Sequence, residues 1–169
     1  MRLAVVCFFI VNLIFAQKDV FVVARNGSVE EMKFLYEKNA NCVNAVDKNG
    51  FSPLILASYR GNFEVAKYLI TLVEDINYQS PEGTALMATV MSGNLELIHL
   101  LIDQKANLDA TNNAGVTALM LAVQFKNLEI IKLLLQHNAN KLLKDDEGKT
   151  AFEYAVNTNN DTIIQLLKN

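Results

Sequence analysis

Short apolar segments alternate with polar turns along most of this chain, and residues 113–144 show the pattern most clearly. The first apolar run there, Ala118 to Val123, is long enough for a short helix. A second group of apolar residues recurs at intervals of three and four, which places them on one face of a helix. These residues are Leu128, Ile131, Leu134 and Leu135. The spacing therefore predicts two short helices, each with one apolar face.

Polar residues mark the ends of these two helices. Ala114-Gly115 is a turn signal, and Thr117 is a candidate N-cap because its hydroxyl can accept a hydrogen bond from a free backbone N–H. Asn127 can cap the second helix, and Asn138, which tolerates a left-handed backbone, can close it. The stretch is thus predicted to be a turn followed by two antiparallel helices. So short a pair could not bury its apolar face alone.

The same unit occurs several times along the chain. Turn glycines recur 33, 32 and 33 residues apart, at Gly50, Gly83, Gly115 and Gly148. Behind each glycine stands a Ser or Thr followed by two apolar residues: Ser52-Pro53-Leu54, Thr84-Ala85-Leu86, Thr117-Ala118-Leu119 and Thr150-Ala151-Phe152. A period near 33 with a Thr-Pro-Leu-like start is typical of ankyrin repeats. After about residue 18 the chain therefore resembles the ankyrin-repeat family.

This resemblance implies an all-α fold, a solenoid of stacked helix-turn-helix units joined by hairpin-like turns. We expect residues 17–169 to form one domain of five repeats, at about 18–46, 47–79, 80–111, 112–144 and 145–169. The chain departs from the family pattern in two places. The histidine that usually follows the Thr-Pro-Leu start is absent, which puts in question the hydrogen bonds it gives between neighbouring loops. Its place is taken by Ile55, Met87, Met120 and Glu153.

The second departure is Val73, which stands where the family usually ends a helix with glycine. A β-branched residue is poor in the left-handed conformation that such an end requires. We therefore expect this helix end to be closed differently, or to be strained.

Residues 1–16 differ in character from the repeats. A single positive charge, Arg2, precedes an almost wholly apolar run. Such a segment is typical of a secretory signal peptide, and Ala16 suits a cleavage site, so Gln17 is the predicted mature N-terminus. The run is short for a membrane-spanning helix. The alternative interpretation is a segment that is kept as a membrane anchor.

Loss of this segment would leave Cys42 alone of the two cysteines in the chain. No intrachain disulfide could then form, and an exported domain would depend on its core alone. We interpret Cys42 as a packing residue between helices rather than a reactive thiol. The short signal and the lack of disulfides favour export to a bacterial periplasm, with secretion as the other destination.

Composition and charge narrow the range of possible functions. The chain is 51% apolar but only 8% aromatic and has no Trp, which suits a core of aliphatic residues between helices. Its formal net charge is −3, and it becomes −4 without residues 1–16 because Arg2 is their only charged residue. This mildly acidic balance argues against a nucleic-acid-binding surface.

No catalytic, metal or cofactor site is predicted. His99 and His137 both fall on second helices, one repeat apart, and a zinc site would need more nitrogen or sulfur ligands. The acidic turn at 145–148 lacks the alternating oxygen ligands and the distal Glu of a calcium loop. We interpret the histidines as solvated.

The remaining candidate for a functional site is the surface of the solenoid. Repeat solenoids bind along an extended concave face, and the family resemblance implies a protein partner there. By register, this concave strip comprises Lys48, Asn49, Phe51, Tyr59, Arg60, Glu82, Met91, Asn113, Val116, Gln124, Phe125 and Lys149. Aromatic and Arg side chains are common anchors of interfaces. The alternative is that Phe51 and Phe125 simply fold against the next repeat.

The sequence thus predicts a non-catalytic protein-binding module, an adaptor or regulator that acts outside the cytoplasm, as a monomer and with an unknown protein partner. After signal cleavage it would have no membrane contact, and we expect no nucleic-acid partner and no cofactor. The first alternative is a membrane-tethered scaffold that keeps residues 1–16. The second is an enzyme or a metal-dependent regulator that uses the histidines or the acidic turn.

Overall fold

A computed structural model describes residues 19–168, and ten α-helices lie within that range, arranged as five consecutive pairs. The first helices of the pairs are α1 (Val20–Asn26), α3 (Pro53–Arg60), α5 (Ala85–Ser92), α7 (Ala118–Gln124) and α9 (Ala151–Thr158). The second helices are α2 (Val29–Lys38), α4 (Phe63–Ile70), α6 (Leu95–Asp103), α8 (Leu128–Gln136) and α10 (Asp161–Lys168). A short 3-10 helix, Ala40–Asn44, follows α2. The predicted signal peptide, 1–16, lies outside the described residues.

The pairs stack in chain order. Each first helix contacts the first helix of the next pair, and in the same way α2 contacts α4 and α4 contacts α6. The core lies between the two rows of helices and is aliphatic, as the low aromatic content indicates. Its largest fully buried side chains are Met32, Leu69, Leu86, Met87, Leu97, Ile98, Leu101, Leu119, Met120, Ile130, Ile131 and Leu134. The all-α solenoid is therefore confirmed.

Polar side chains close several helix ends, including those that the sequence predicts for α7 and α8. The Ser28 hydroxyl and the Glu31 carboxylate form a capping box at the start of α2. Thr117 caps α7, and Asn127 caps α8 through its side-chain oxygen, which accepts from the Ile130 N–H. Asn138 adopts a left-handed φ of 64° just after α8.

The end of α4 differs from the family pattern, as Val73 suggests. The helix stops at Ile70, and Thr71 is right-handed, so no left-handed residue is needed. The Thr71 hydroxyl donates to the Tyr68 carbonyl at 2.8 Å. The Val73 N–H still donates to the Leu69 carbonyl at 3.0 Å. The helix is thus closed differently, without strain at the β-branched residue.

Polar side chains link the loops that follow successive second helices. The Asn44 side-chain oxygen accepts from the Glu74 N–H at 3.0 Å. One repeat later the Asn77 side chain accepts from the Asn107 N–H at 2.6 Å. Asp109 continues the series by accepting from the Asn140 N–H at 2.8 Å. These bonds hold neighbouring loops together in a chain that lacks the usual histidine.

Two of the residues in the place of that histidine act locally instead. The Met120 sulfur accepts from the Thr117 N–H at 3.4 Å. The Glu153 carboxylate accepts from the Thr150 N–H at 2.8 Å. Both bonds satisfy a donor at the start of their own helix, so they stabilise the repeat rather than the contact between repeats.

Within residues 19–168, every helix is too short or too polar to span a membrane.

Candidate partner-binding surface

The predicted concave strip follows the turns before the first helices and the far ends of those helices. Nine of its twelve residues are exposed: Lys48, Asn49, Tyr59, Arg60, Glu82, Met91, Asn113, Gln124 and Phe125. The other three, Phe51, Val116 and Lys149, are half-buried. The structure therefore leaves most of the strip open to a partner.

Three exposed apolar side chains meet near the ends of the first helices. Tyr59, Met91 and Phe125 are 54%, 40% and 53% exposed, which is high for side chains of this size. Together with Asn26 and Arg60 they surround one shallow cleft. Stacking thus brings residues of α3, α5 and the end of α7 to a common surface, which contains large apolar side chains and an arginine.

The two apolar residues nearer the turns behave differently. Phe51 and Val116 pack against the buried core while remaining half-exposed. The alternative interpretation, that the side chain simply packs against its neighbours, therefore explains the partial burial of Phe51. It does not account for Phe125, more than half of which is exposed.

A deeper cleft lies at the N-terminal end of the strip and has a volume of about 350 Å³. Six strip residues from two neighbouring repeats line it: Asn49, Phe51, Tyr59, Arg60, Glu82 and Met91. The sequence interpretation missed the rest of its lining, which is Arg25, Ile55, Leu56, Ser80, Gly83, Thr84 and Ala88. Its apolar members Ile55, Leu56 and Ala88 are buried residues of α3 and α5 and form the floor.

Arg25 is the most informative of the missed residues. It stands two positions before Gly27, as Tyr59 stands two positions before Gly61, so the helix break could have placed it in register with the strip. Its guanidinium pairs with the Asp47 carboxylate at 3.1 Å and donates to the Phe21 carbonyl at 3.3 Å. Arg25 therefore contributes a cation that is already partnered.

The turn below the cleft is fixed by Asp47. One carboxylate oxygen accepts from the Asn49 N–H at 2.9 Å and from the Phe51 N–H at 3.0 Å. The Phe51 N–H, with help from Asn49 and from the charge of Arg25, holds the pKa of Asp47 below its ordinary value. The ionised carboxylate thus keeps the turn and Phe51 in one conformation.

The acidic turn in the last repeat is built in the same way. The Asp145 carboxylate accepts from the Glu147 N–H at 3.0 Å, from the Lys149 N–H at 2.8 Å and from the Tyr154 hydroxyl at 2.7 Å. Lys149 pairs with Glu147 at 2.5 Å, so this strip residue is partly engaged within its own turn. These contacts use the carboxylates internally, which agrees with a structural role for the turn.

No group of His, Cys, Asp and Glu residues in the range 19–168 is arranged to hold a metal ion. His99 and His137 are both exposed. Cys42 is half-buried and packs against the core, and burial raises the pKa of its thiol. A raised pKa lowers the fraction of reactive thiolate, in keeping with a packing role.

Comparison with known proteins decides the family. A model described as ankyrin repeats in many copies matches residues 20–70, and a model of three ankyrin repeats matches residues 86–169. The chain belongs to the ankyrin-repeat family. The repeat period, the turn glycines and the stacked helix pairs are thus properties of an ankyrin solenoid. The usual role of such a solenoid is protein–protein interaction, and ankyrin-repeat proteins are generally non-catalytic.

Three curated relatives show the same kind of similarity. Ankyrin repeat and SAM domain-containing protein 6 is 32% identical in the rat and 31% identical in the mouse, each over 101 residues, 59% of this chain. Mouse Protein fem-1 homolog A-like is 33% identical over 64 residues, 37% of this chain. The aligned parts cover only 10% or 11% of the relatives. The chain thus matches about a tenth of their length.

Proposed function

We propose that this ankyrin-repeat chain is an adaptor or regulator that binds one protein partner through its concave strip. The observation that carries the proposal is the cleft shared by Tyr59, Met91 and Phe125. Three large apolar side chains exposed together, next to Arg60, form the type of surface in which interface anchors are found. The family role supports a protein as the partner.

The proposed site of action is outside the cytoplasm, in a periplasm or in a secreted fraction. The support is the sequence of residues 1–16, a single positive charge followed by an apolar run and a small residue before Gln17. On this proposal the chain acts as a monomer, without a cofactor, and binds no nucleic acid. A membrane-tethered scaffold is the second candidate, and it rests on the same segment being kept.

Site-specific cross-linking tests the proposed surface. A photo-reactive amino acid would replace Met91 on the strip or His99 on α6 of the same repeat, and the full chain would be irradiated in its producing cells. Both positions are exposed, but on different faces of one helix pair. We expect a discrete protein adduct from the Met91 position and none from the His99 position. Equal labelling from both positions, or a discrete adduct from His99 alone, would contradict the proposed surface.

A further inference from the structure

The deeper cleft contains one cation and one anion that the folded chain leaves without partners. Arg60 and Glu82 are exposed, and neither side chain has an ion pair or a hydrogen bond within the part of the chain that the structure describes. Arg25, the other cation of the cleft, is engaged by Asp47. The charges available to a partner in this cleft are therefore those of Arg60 and Glu82.

These two residues lie at opposite ends of neighbouring first helices. Arg60 is the last residue of α3, whereas Glu82 belongs to the turn that precedes α5. Helices α3 and α5 both begin at the turn side, with Ser52 and Thr84 as their N-caps. An eight-residue helix is about 12 Å long. The backbones of Arg60 and Glu82 are therefore about one helix length, about 12 Å, apart along the helix axes and about 8–10 Å apart across them.

The cleft has an apolar floor. Leu56 and Ala88 form the floor, and Tyr59 and Met91 stand beside it. A cavity of about 150 Å³ is enough to hold benzene. The volume of this cleft, about 350 Å³, therefore has room for one bulky side chain together with the backbone that carries it.

An extended peptide matches this arrangement in both period and length. Alternate side chains of a strand point to the same side, and each residue advances about 3.3 Å. Residues i, i+2 and i+4 thus face the cleft together and span about 13 Å. That span matches the separation of Arg60 and Glu82 along the helix axes, and the long side chains of both partners can cover the distance across the helices.

We infer that the cleft binds an extended protein segment with an acidic residue at one end, a bulky apolar residue two positions along and a basic residue two positions further. The carboxylate pairs with Arg60, the apolar side chain enters between Tyr59 and Met91, and the cation pairs with Glu82. This inference rests on the proposed function and names the chemistry of the partner at one end of the strip.

Synthetic peptides provide the test. The probe is a fluorescein-labelled, end-capped peptide with the core Glu-Ser-Phe-Ser-Lys, and its binding to the chain purified from producing cells is measured by fluorescence anisotropy. Three further probes change one feature each: the cores are Lys-Ser-Phe-Ser-Lys, Glu-Ser-Phe-Ser-Glu and Glu-Ser-Ser-Ser-Lys. We expect the first probe to bind at least about fivefold more tightly than each of the others, because each loses one of the three contacts.

Charge reversal in the protein assigns the contact to Arg60. Arg60→Glu should weaken the Glu-Ser-Phe-Ser-Lys probe by about fivefold or more and should favour the Lys-Ser-Phe-Ser-Lys probe instead. The matched control is Lys132→Glu, an equal change of charge on the exposed side of α8, which should alter neither affinity. If Arg60 only stabilises the C-terminal end of α3, Arg60→Glu will lower the melting temperature and leave the ranking of the four probe affinities unchanged.

The outcomes separate this inference from the proposed function. Equal binding of all four probes, or an order that Arg60→Glu does not change, would overturn the inference. Cross-linking from Met91 would then still support a protein partner on the strip, but one with different chemistry. Absence of that cross-link would count against the strip itself.

Discussion

The side-chain amide of Asn62 donates a hydrogen bond to the carbonyl of Gly27 at 2.9 Å, across the boundary between the first and second repeats. The same nitrogen lies 3.3 Å from the Val23 carbonyl and 3.1 Å from the Ala24 carbonyl. The last carbonyls of a helix lack partners within the helix. Asn62 thus closes the end of α1 from the neighbouring repeat and ties the two repeats together.

Asn62→Asp tests this contact, because a carboxylate cannot donate to carbonyls. We expect the free energy of unfolding to fall by about 2 kcal/mol or more, since polar groups would lose partners in a half-buried site. Asn94→Asp is the matched control. Asn94 accepts from the Leu97 N–H as a helix N-cap, and Asp serves equally well there. Urea unfolding that gives equal losses for the two variants would contradict the assignment.

The same asparagine shows where sequence reasoning reaches its limit. Thr117 and Asn127 cap their own helices as expected, and Asn94 does the same, because a cap depends only on residues within one turn. Asn62 stands at the equivalent position of the second repeat but makes no cap bond with its side chain. Its partners lie 35 to 39 residues away in sequence, and a local pattern contains no information about such a contact.

In the candidate site, too, some features can be predicted from the sequence and others depend on packing. The position of Tyr59 and Met91 within their repeats is enough to predict that they lie on the strip, because the repeat period fixes which first-helix residues are exposed. The period does not show how deeply a side chain sinks between repeats, so the half-burial of Phe51 and Val116 became clear only from packing. Arg25 was missed because the first repeat lacks the opening turn from which the other repeats are aligned.

The Tyr154–Asp145 hydrogen bond makes stability depend on pH at both extremes. Burial, and then this bond, raises the pKa of Tyr154 to about 12. The bonds from Tyr154 and from the Lys149 N–H hold the pKa of Asp145 below its ordinary value. The raised pKa means that the contribution of Tyr154 is complete below about pH 10 and is lost as pH rises toward the folded value. The lowered pKa means that the contribution of Asp145 is complete above about pH 4 and is lost as pH falls.

Tyr154→Phe should therefore destabilise the chain at neutral pH, and the difference from the native chain should shrink above about pH 10. Chemical unfolding followed by circular dichroism at several pH values measures this difference. Tyr59→Phe, which alters an exposed tyrosine, controls for general effects of alkali. A Tyr154→Phe difference that stays constant up to about pH 12 would show that the hydroxyl proton is not held in the folded state.

Combined replacement of His99 and His137 by Gln should leave the protein nearly unchanged. Both side chains are exposed, and exposed substitutions usually alter the free energy of unfolding by less than about 0.5 kcal/mol. Partner binding should also be retained, because neither residue belongs to the concave strip. Elemental analysis and melting of the double variant check this. Loss of bound metal or a large drop in melting temperature would revive the metal-dependent alternative.

If the chain is exported as proposed, its mature form should have a defined N-terminus. N-terminal sequencing of the protein from producing cells should begin at Gln17 or within a residue or two of it, because Ala16 suits signal cleavage. Fractionation of the same cells provides the control for location. A full-length chain in the membrane fraction would favour the tethered scaffold, and a full-length chain in the cytosol would refute export.

Binding by the exposed apolar residues is the central claim, and a double variant tests it most directly. Tyr59→Ala combined with Phe125→Ala should weaken binding of the partner cross-linked through Met91 by about 2 kcal/mol or more, roughly thirtyfold. The melting temperature should change little, because more than half of each side chain is exposed. The matched control, Leu142→Ala with Val156→Ala, removes exposed apolar side chains outside the strip and should preserve the affinity. The deciding measurement is calorimetric titration of both double variants with the partner, with melting followed in parallel. A large loss of affinity in the strip variant alone is the predicted result, whereas a sharp drop in its melting temperature with unchanged affinity would contradict the account.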